Sequence, residues 1–81
     1  MMTTHQKLKP LPPRIVIKVL GKAGFQKIRQ KGSHIFMEHP DGRTTLIPFH
    51  AGEDLGRGLL RKIIKDAELT REEFLKLLKP R

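Results

Sequence analysis

The chain has 81 residues, enough for one domain with one modest core, and carries 17 Lys and Arg against 8 Asp and Glu, a formal net charge of +9. It has no cysteine, which excludes disulfide staples and Cys-based zinc sites, and it has no apolar run of membrane-spanning length. The charge points to a polyanionic partner and is uneven: residues 1–50 hold nine basic and two acidic residues (+7), residues 51–81 eight and six (+2). The anion-facing surface is therefore expected mainly in the first half. Met1 to Lys9 is polar and basic, without the apolar segment of a secretory signal. The expectation is a soluble, cytoplasmic protein.

Residues 1–11 read as a flexible N-terminal tail, and 12–81 as a single domain. Pro10-Leu11-Pro12-Pro13 is a stiff lead-in, and Pro13 suits the first turn of a helix. From Pro13 to Ala23 the residues Ile15, Val16, Val19, Leu20 and Ala23 fall on one helical face, while Arg14, Lys18 and Lys22 form a basic ridge on another. Gly24 supplies the left-handed C-terminal cap. Phe25 to Lys31 reads as a strand with Lys27, Arg29 and Lys31 on one side and Gln26, Ile28 and Gln30 on the other. Gly32-Ser33 breaks the run, and His34 to His39 reads as a second strand.

The sequence His39-Pro40-Asp41-Gly42 predicts a tight turn, because Pro presets φ and Gly ends the turn. Arg43 to Phe49 is the third strand, with Pro48 marking an edge or a strand end. His50 to Gly58 is a glycine-rich loop. Leu59 to Ala67 is a second helix burying Leu60, Ile63, Ile64 and Ala67, with Arg57, Arg61 and Lys65 as a second basic ridge. Thr70-Arg71-Glu72-Glu73 matches a capping box, and a short last helix follows with Phe74, Leu77 and Leu78. The order α-β-β-β-α(-α) predicts an α+β domain: a three-stranded antiparallel sheet with helices on one face.

Several chemistries find no support in these residues. Carboxylates are scattered, with only Glu53-Asp54 adjacent, so a two-metal nuclease site is not expected. His34 and His39 are five apart in one strand and so face opposite ways, a poor metal pair. Four Phe with no Trp or Tyr are few for a multi-ring single-strand platform. What remains is His34 in Lys31-Gly32-Ser33-His34. Histidine exchanges a proton in the neutral range. RNA carries its own nucleophile, the 2′-OH, so its cleavage needs only a base, a proton for the leaving 5′ oxygen and positive charge near the phosphate.

Lys27, Arg29 and Lys31 offer that charge, and the Gly32 and Ser33 amides offer donors. Lys18, Lys22 and Arg61 on the helical ridges extend the candidate RNA-binding surface. His50 is a candidate second acid/base or phosphate contact, or simply a strand-end histidine bonding the loop backbone. His39 reads as a turn residue and His5 as tail. Gly56-Arg57-Gly58 reads as a flexible turn into the second helix more than as a phosphate site. On the residues alone, a histidine beside a glycine turn is more often structural, and catalysis stays open.

Gly24-Phe25, Lys31-Gly32-Ser33-His34, Pro40-Asp41-Gly42, Ile47-Pro48-Phe49-His50, Gly58 with Leu60-Arg61-Lys62-Ile63-Ile64-Lys65, and Leu69-Thr70-Arg71-Glu72-Glu73-Phe74 together resemble the HicA family of toxins, from about residue 12 to residue 78. The resemblance implies a fold like the double-stranded-RNA-binding domain and activity as a metal-independent, cofactor-free mRNA interferase of a type II toxin-antitoxin system. It also implies a HicB-type antitoxin that covers the active site, and it places the catalytic histidine on His34. The chain departs from the family pattern at Ile35, where many members carry a second His, at Leu59, where Thr is common, and at Glu68, where Gly is usual. Ile35 leaves the proton transfers to His34. Glu68 leads us to expect a different helix boundary, since Glu lacks glycine's tolerance for positive φ. The alternative reading is a non-catalytic RNA-binding module of the same fold.

Overall fold

The structure, a computed structural model, describes residues 8–79. The elements follow the order α1 (Pro13–Lys22), β1 (Gln26–Lys31), β2 (His34–Glu38), β3 (Thr44–Pro48), α2 (Arg57–Asp66) and α3 (Arg71–Leu78). The three strands form one antiparallel sheet in the order β1-β2-β3. This is the α+β arrangement expected from the sequence.

Helix α1 begins where Pro12 holds an extended backbone (φ −61°, ψ 144°) and Pro13 occupies the first turn, where its missing N–H costs nothing. It ends because Gly24 turns left-handed at φ +101°. The Gly24 N–H then donates to the Gly21 carbonyl at 3.1 Å and the Phe25 N–H to the Leu20 carbonyl at 2.9 Å. This paired closure satisfies two orphan carbonyls and drops Phe25 into the core. Val16, Val19 and Leu20 are buried, while Arg14, Lys18 and Lys22 stay exposed as the ridge predicts.

Helix α2 starts at Arg57, two residues earlier than the apolar pattern indicates, so Gly58 lies in its first turn. Leu60, Ile63, Ile64 and Ala67 are all buried. Its end repeats the closure of α1: Glu68 donates to Lys65 at 2.9 Å and Leu69 to Ile64 at 3.1 Å. Here the left-handed position is filled by Glu68 at φ +58°. The expectation of a different boundary is therefore corrected: the helix keeps the glycine-type ending, and Glu68 bears the strain. The capping box of α3 forms as predicted, with the Glu73 N–H donating to Thr70 Oγ1 at 2.9 Å and the Thr70 N–H to Glu73 Oε1 at 2.7 Å.

The three helices lie on the sheet face that carries Ile35, Met37, Thr45 and Ile47, and these side chains join Phe74, Leu60, Ile63 and the α1 residues in one core. The other face, with His34, Phe36, Glu38, Thr44 and Leu46, is open. Leu8 is also in the core, at 5% exposure, and Leu11 pairs with Leu55 through reciprocal backbone bonds of 3.1 and 2.7 Å. The expected flexible tail thus gives way to packed chain over 8–11: Leu8 finds an apolar site, and the prolines leave the Leu11 N–H and C=O for Leu55. Residues 1–7 and 80–81, including the tail residue His5, lie outside the described residues.

A second correction concerns β1. Lys27 pairs with Met37 and Arg29 with Phe36, so two residues of β1 advance against one of β2 and Ile28 is the extra residue of a β-bulge. Lys27 and Gln30 therefore share the helix-side face, where Lys27 Nζ donates to Gln30 Oε1 at 3.1 Å. Arg29 and Lys31 share the open face. The predicted single row of Lys27, Arg29 and Lys31 does not form.

Candidate active site

The hairpin between β1 and β2 has a two-residue loop, Gly32-Ser33, with Lys31 directly opposite His34. Gly32 has φ +59° and Ser33 does not have positive φ, which is the turn pattern that places glycine first and matches the twist of the strands. The loop is braced on both sides. Gln30 Nε2 donates to the Gly32 carbonyl at 3.1 Å, and the Phe49 N–H donates to the Ser33 carbonyl. The glycine and serine thus set the geometry of the corner and lock it to the end of β3. His34 follows as the first residue of β2, exposed on the open face between Lys31 on one side and Pro48 on the other.

The bulge determines what surrounds His34. With Ile28 in the ladder, regular alternation would put Lys27 in phase with Arg29 and Lys31 on the His34 face. The bulge turns Lys27 away and leaves the two cations that the hairpin register holds beside His34. Arg29 lies over the Phe36 ring, its guanidinium carbon 4.6 Å from the ring centre. Phe36 is two residues along β2 from His34 and on the same side. The open face is polar-asymmetric: Arg29, Lys31 and His34 sit toward the glycine corner, and Glu38 sits at the far end beside Gln26 and Thr44.

Lys27 is on the opposite side of β1 from His34, in contact with Gln30. Lys18 is exposed on α1 and Arg61 on α2. Lys22 caps a neighbour, its Nζ donating to the Leu77 carbonyl at 3.0 Å near the end of α3. His50 follows β3 and lies in a cleft with Pro13, Arg14, Phe49 and Asp54, while its carbonyl accepts from the Glu53 N–H at 3.0 Å. It is thus placed with the start of α1 and the loop, one residue beyond the Phe49 bond to Ser33.

His39 is a structural residue. Its ring meets Phe25 edge-on at 5.3 Å, and its Nδ1 accepts from the Asp41 N–H at 3.1 Å. Arg43 lies over the Phe25 ring, its guanidinium carbon 5.3 Å from the ring centre, with its Nη1 donating to the Ala67 carbonyl. Bonds from the Arg43 side chain and backbone hold the Asp41 carboxyl below the usual carboxylate range, and the nearby Arg43 charge acts the same way. The turn is thereby tied to the ends of α1 and α2. The role of Phe36 on the open face was hidden in the sequence, because His34, Phe36, Glu38 and Ile35, Met37, His39 are equally mixed sets. The bulge left no signal either.

Among the described residues no three His, Cys, Asp or Glu side chains gather as a metal cluster, and no helix is long and apolar enough to cross a membrane. Fold and site together define a small basic α+β domain that presents one histidine among cations on an uncovered sheet face. The family model described as "HicA toxin of bacterial toxin-antitoxin" matches residues 13–69, most of the chain. The chain belongs to this family of toxins, which brings with it a cognate antitoxin partner. A search of curated proteins finds no match.

Proposed function

We propose that this toxin is a metal-independent endoribonuclease that cleaves mRNA with His34 as general acid and base, and that a HicB-type antitoxin inhibits it by covering the His34 face. The observation that carries the reading is the exposure of His34 on the open sheet face directly opposite Lys31, with Arg29 on the same side. In the reaction His34 takes the proton of a ribose 2′-OH. The 2′ oxygen attacks the adjacent phosphorus and the P–O5′ bond breaks. The proton held by His34 passes to the departing 5′ oxygen, leaving a 2′,3′-cyclic phosphate and a 5′-hydroxyl. Lys31 and Arg29 stabilise the charge that gathers on the phosphate oxygens. No protein nucleophile takes part, since the nucleophile belongs to the substrate.

The test is the chemistry of the products. Cleaved RNA should end in 2′,3′-cyclic phosphate and 5′-hydroxyl, and a single 2′-deoxy substitution at the cut site should abolish cleavage there. Products with 5′-phosphate ends, or unchanged cleavage at the deoxy site, would contradict this mechanism. RNA that is bound but never cut would favour the non-catalytic RNA-binding module.

A further inference from the structure

The open face holds one feature that the acid–base reading does not use. Phe36 stands at its centre, half-buried, with the Arg29 guanidinium over its ring at 4.6 Å. Ile28 is 52% exposed and Leu46 37%, the two exposed large apolar side chains among the described residues. Ile28, Phe36, Thr44 and Leu46 contribute to one shallow depression, whose lining also includes Met37, Thr45 and Asp66. A structural role in the core is excluded for the first four, because the helices cover the other face.

We infer that Phe36 and Arg29 form a stacking subsite for one unpaired nucleobase of the RNA, next to the phosphate held at Lys31 and His34. The inference rests on the proposed ribonuclease reading and specifies its substrate as single-stranded at the cut. Four observations favour a nucleotide on this face over a protein. The ring is paired with a guanidinium, whose plane can itself stack on a base. The cations lie at the His34 end, where the phosphate would be. Residues two apart on one strand face are separated by about 7 Å, the reach of one nucleotide. The Thr44 hydroxyl can bond a base edge. One ring serves one base, which is consistent with the small number of aromatic residues. Bases in a duplex are already stacked, so the subsite selects loops and unpaired stretches.

The chain has no Trp and no Tyr, so Phe36→Trp introduces a lone indole whose fluorescence reports stacking directly. The probe is a 2′-O-methyl oligoribonucleotide, which lacks the nucleophile and stays uncut, compared with the same strand made abasic. Binding is followed in parallel by anisotropy of a label on the strand. The base-bearing strand is expected to quench the indole and the abasic strand is not. Phe36→Ala and Phe36→Leu should both weaken binding of the base-bearing strand by roughly 5- to 100-fold, with circular dichroism unchanged. The leucine keeps the apolar bulk and loses the ring, so it separates stacking from folding.

Binding without quenching, or equal quenching and affinity for the abasic strand, overturns the subsite while leaving His34-dependent cleavage standing. Failure of both strands to bind overturns the subsite and the ribonuclease reading together. Unchanged RNA affinity of Phe36→Leu with weakened antitoxin binding would make the face a protein-docking surface and also overturns the inference.

Discussion

Gly24 and Gly32 show how much a single backbone position sets in this chain. Gly32 at φ +59° closes the two-residue loop that delivers His34 to the open face opposite Lys31. Gly24 does two things at once. Its φ of +101° ends α1, and its missing side chain leaves room for His39, whose Nε2 would lie 2.8 Å from an added Cβ. Gly24→Ala must therefore distort the helix end and also push His39 off Phe25. We expect a loss of at least about 2 kcal/mol in stability, measured by urea unfolding. An effect below about 0.5 kcal/mol would mean that the contact with His39 gives way freely. The partner of that contact was not legible in the sequence. His39-Pro40-Asp41-Gly42 spells a turn, but nothing in it says that the turn packs against the end of the first helix.

At the scale of elements, the same helix ending occurs twice with different residues, which makes a direct comparison. Glu68 holds φ +58° where α2 closes, and Gly24 does the equivalent for α1. Left-handed backbone costs a residue with a Cβ about 1–2 kcal/mol, partly offset by glycine's larger loss of chain entropy. Glu68→Gly should stabilise the fold by about 1 kcal/mol. Gly21 is the converse case: it is helical, exposed, and nothing lies within 4 Å of an added Cβ. Gly21→Ala should also stabilise, by roughly 0.5–1 kcal/mol. The two sites belong to different helix ends, so the effects should add. Thermal midpoints would rise by roughly 4–8 °C per kcal/mol, and a fall in either variant would contradict the assignment of strain.

The helices were legible because their faces are buried on one side. Leu60, Ile63, Ile64 and Ala67 stand out at helical spacing, and the Thr70 capping box is a local signal that needs no tertiary knowledge. The β1 bulge was not legible. Every residue of β1 is exposed, so no buried side chain records which way the strand faces, and a one-residue slip leaves no mark on the pattern. That slip turns Lys27 away from the His34 side, where the hairpin register keeps Arg29 and Lys31. The position of His34 just after the glycine turn was readable, and its candidacy came from the family resemblance. Which cations share its face was not readable.

For the whole molecule, the helices occupy one face of the sheet and leave the other to the candidate site. On the proposed RNA-binding reading, affinity should fall with salt according to how many phosphates the cations neutralise, and the structure divides the net charge of +9 between the site and the helix layer. If Arg29 and Lys31 each neutralise a phosphate, Arg29→Gln with Lys31→Gln should reduce the slope of log K against log salt by about 1.4 for a single strand. Arg71→Gln, in α3 on the helix side, should leave the slope nearly unchanged. Equal effects would place the RNA over the helix layer instead. The central claim is that one histidine on the open face does the chemistry without a metal. It is tested most directly by the initial rate of RNA cleavage in EDTA by the wild-type protein and by His34→Ala. The expected result is rapid cleavage by the wild type and a rate at least about 100-fold lower for the variant, with RNA still bound. Equal rates in the two proteins, or a wild-type activity that EDTA removes, would contradict it.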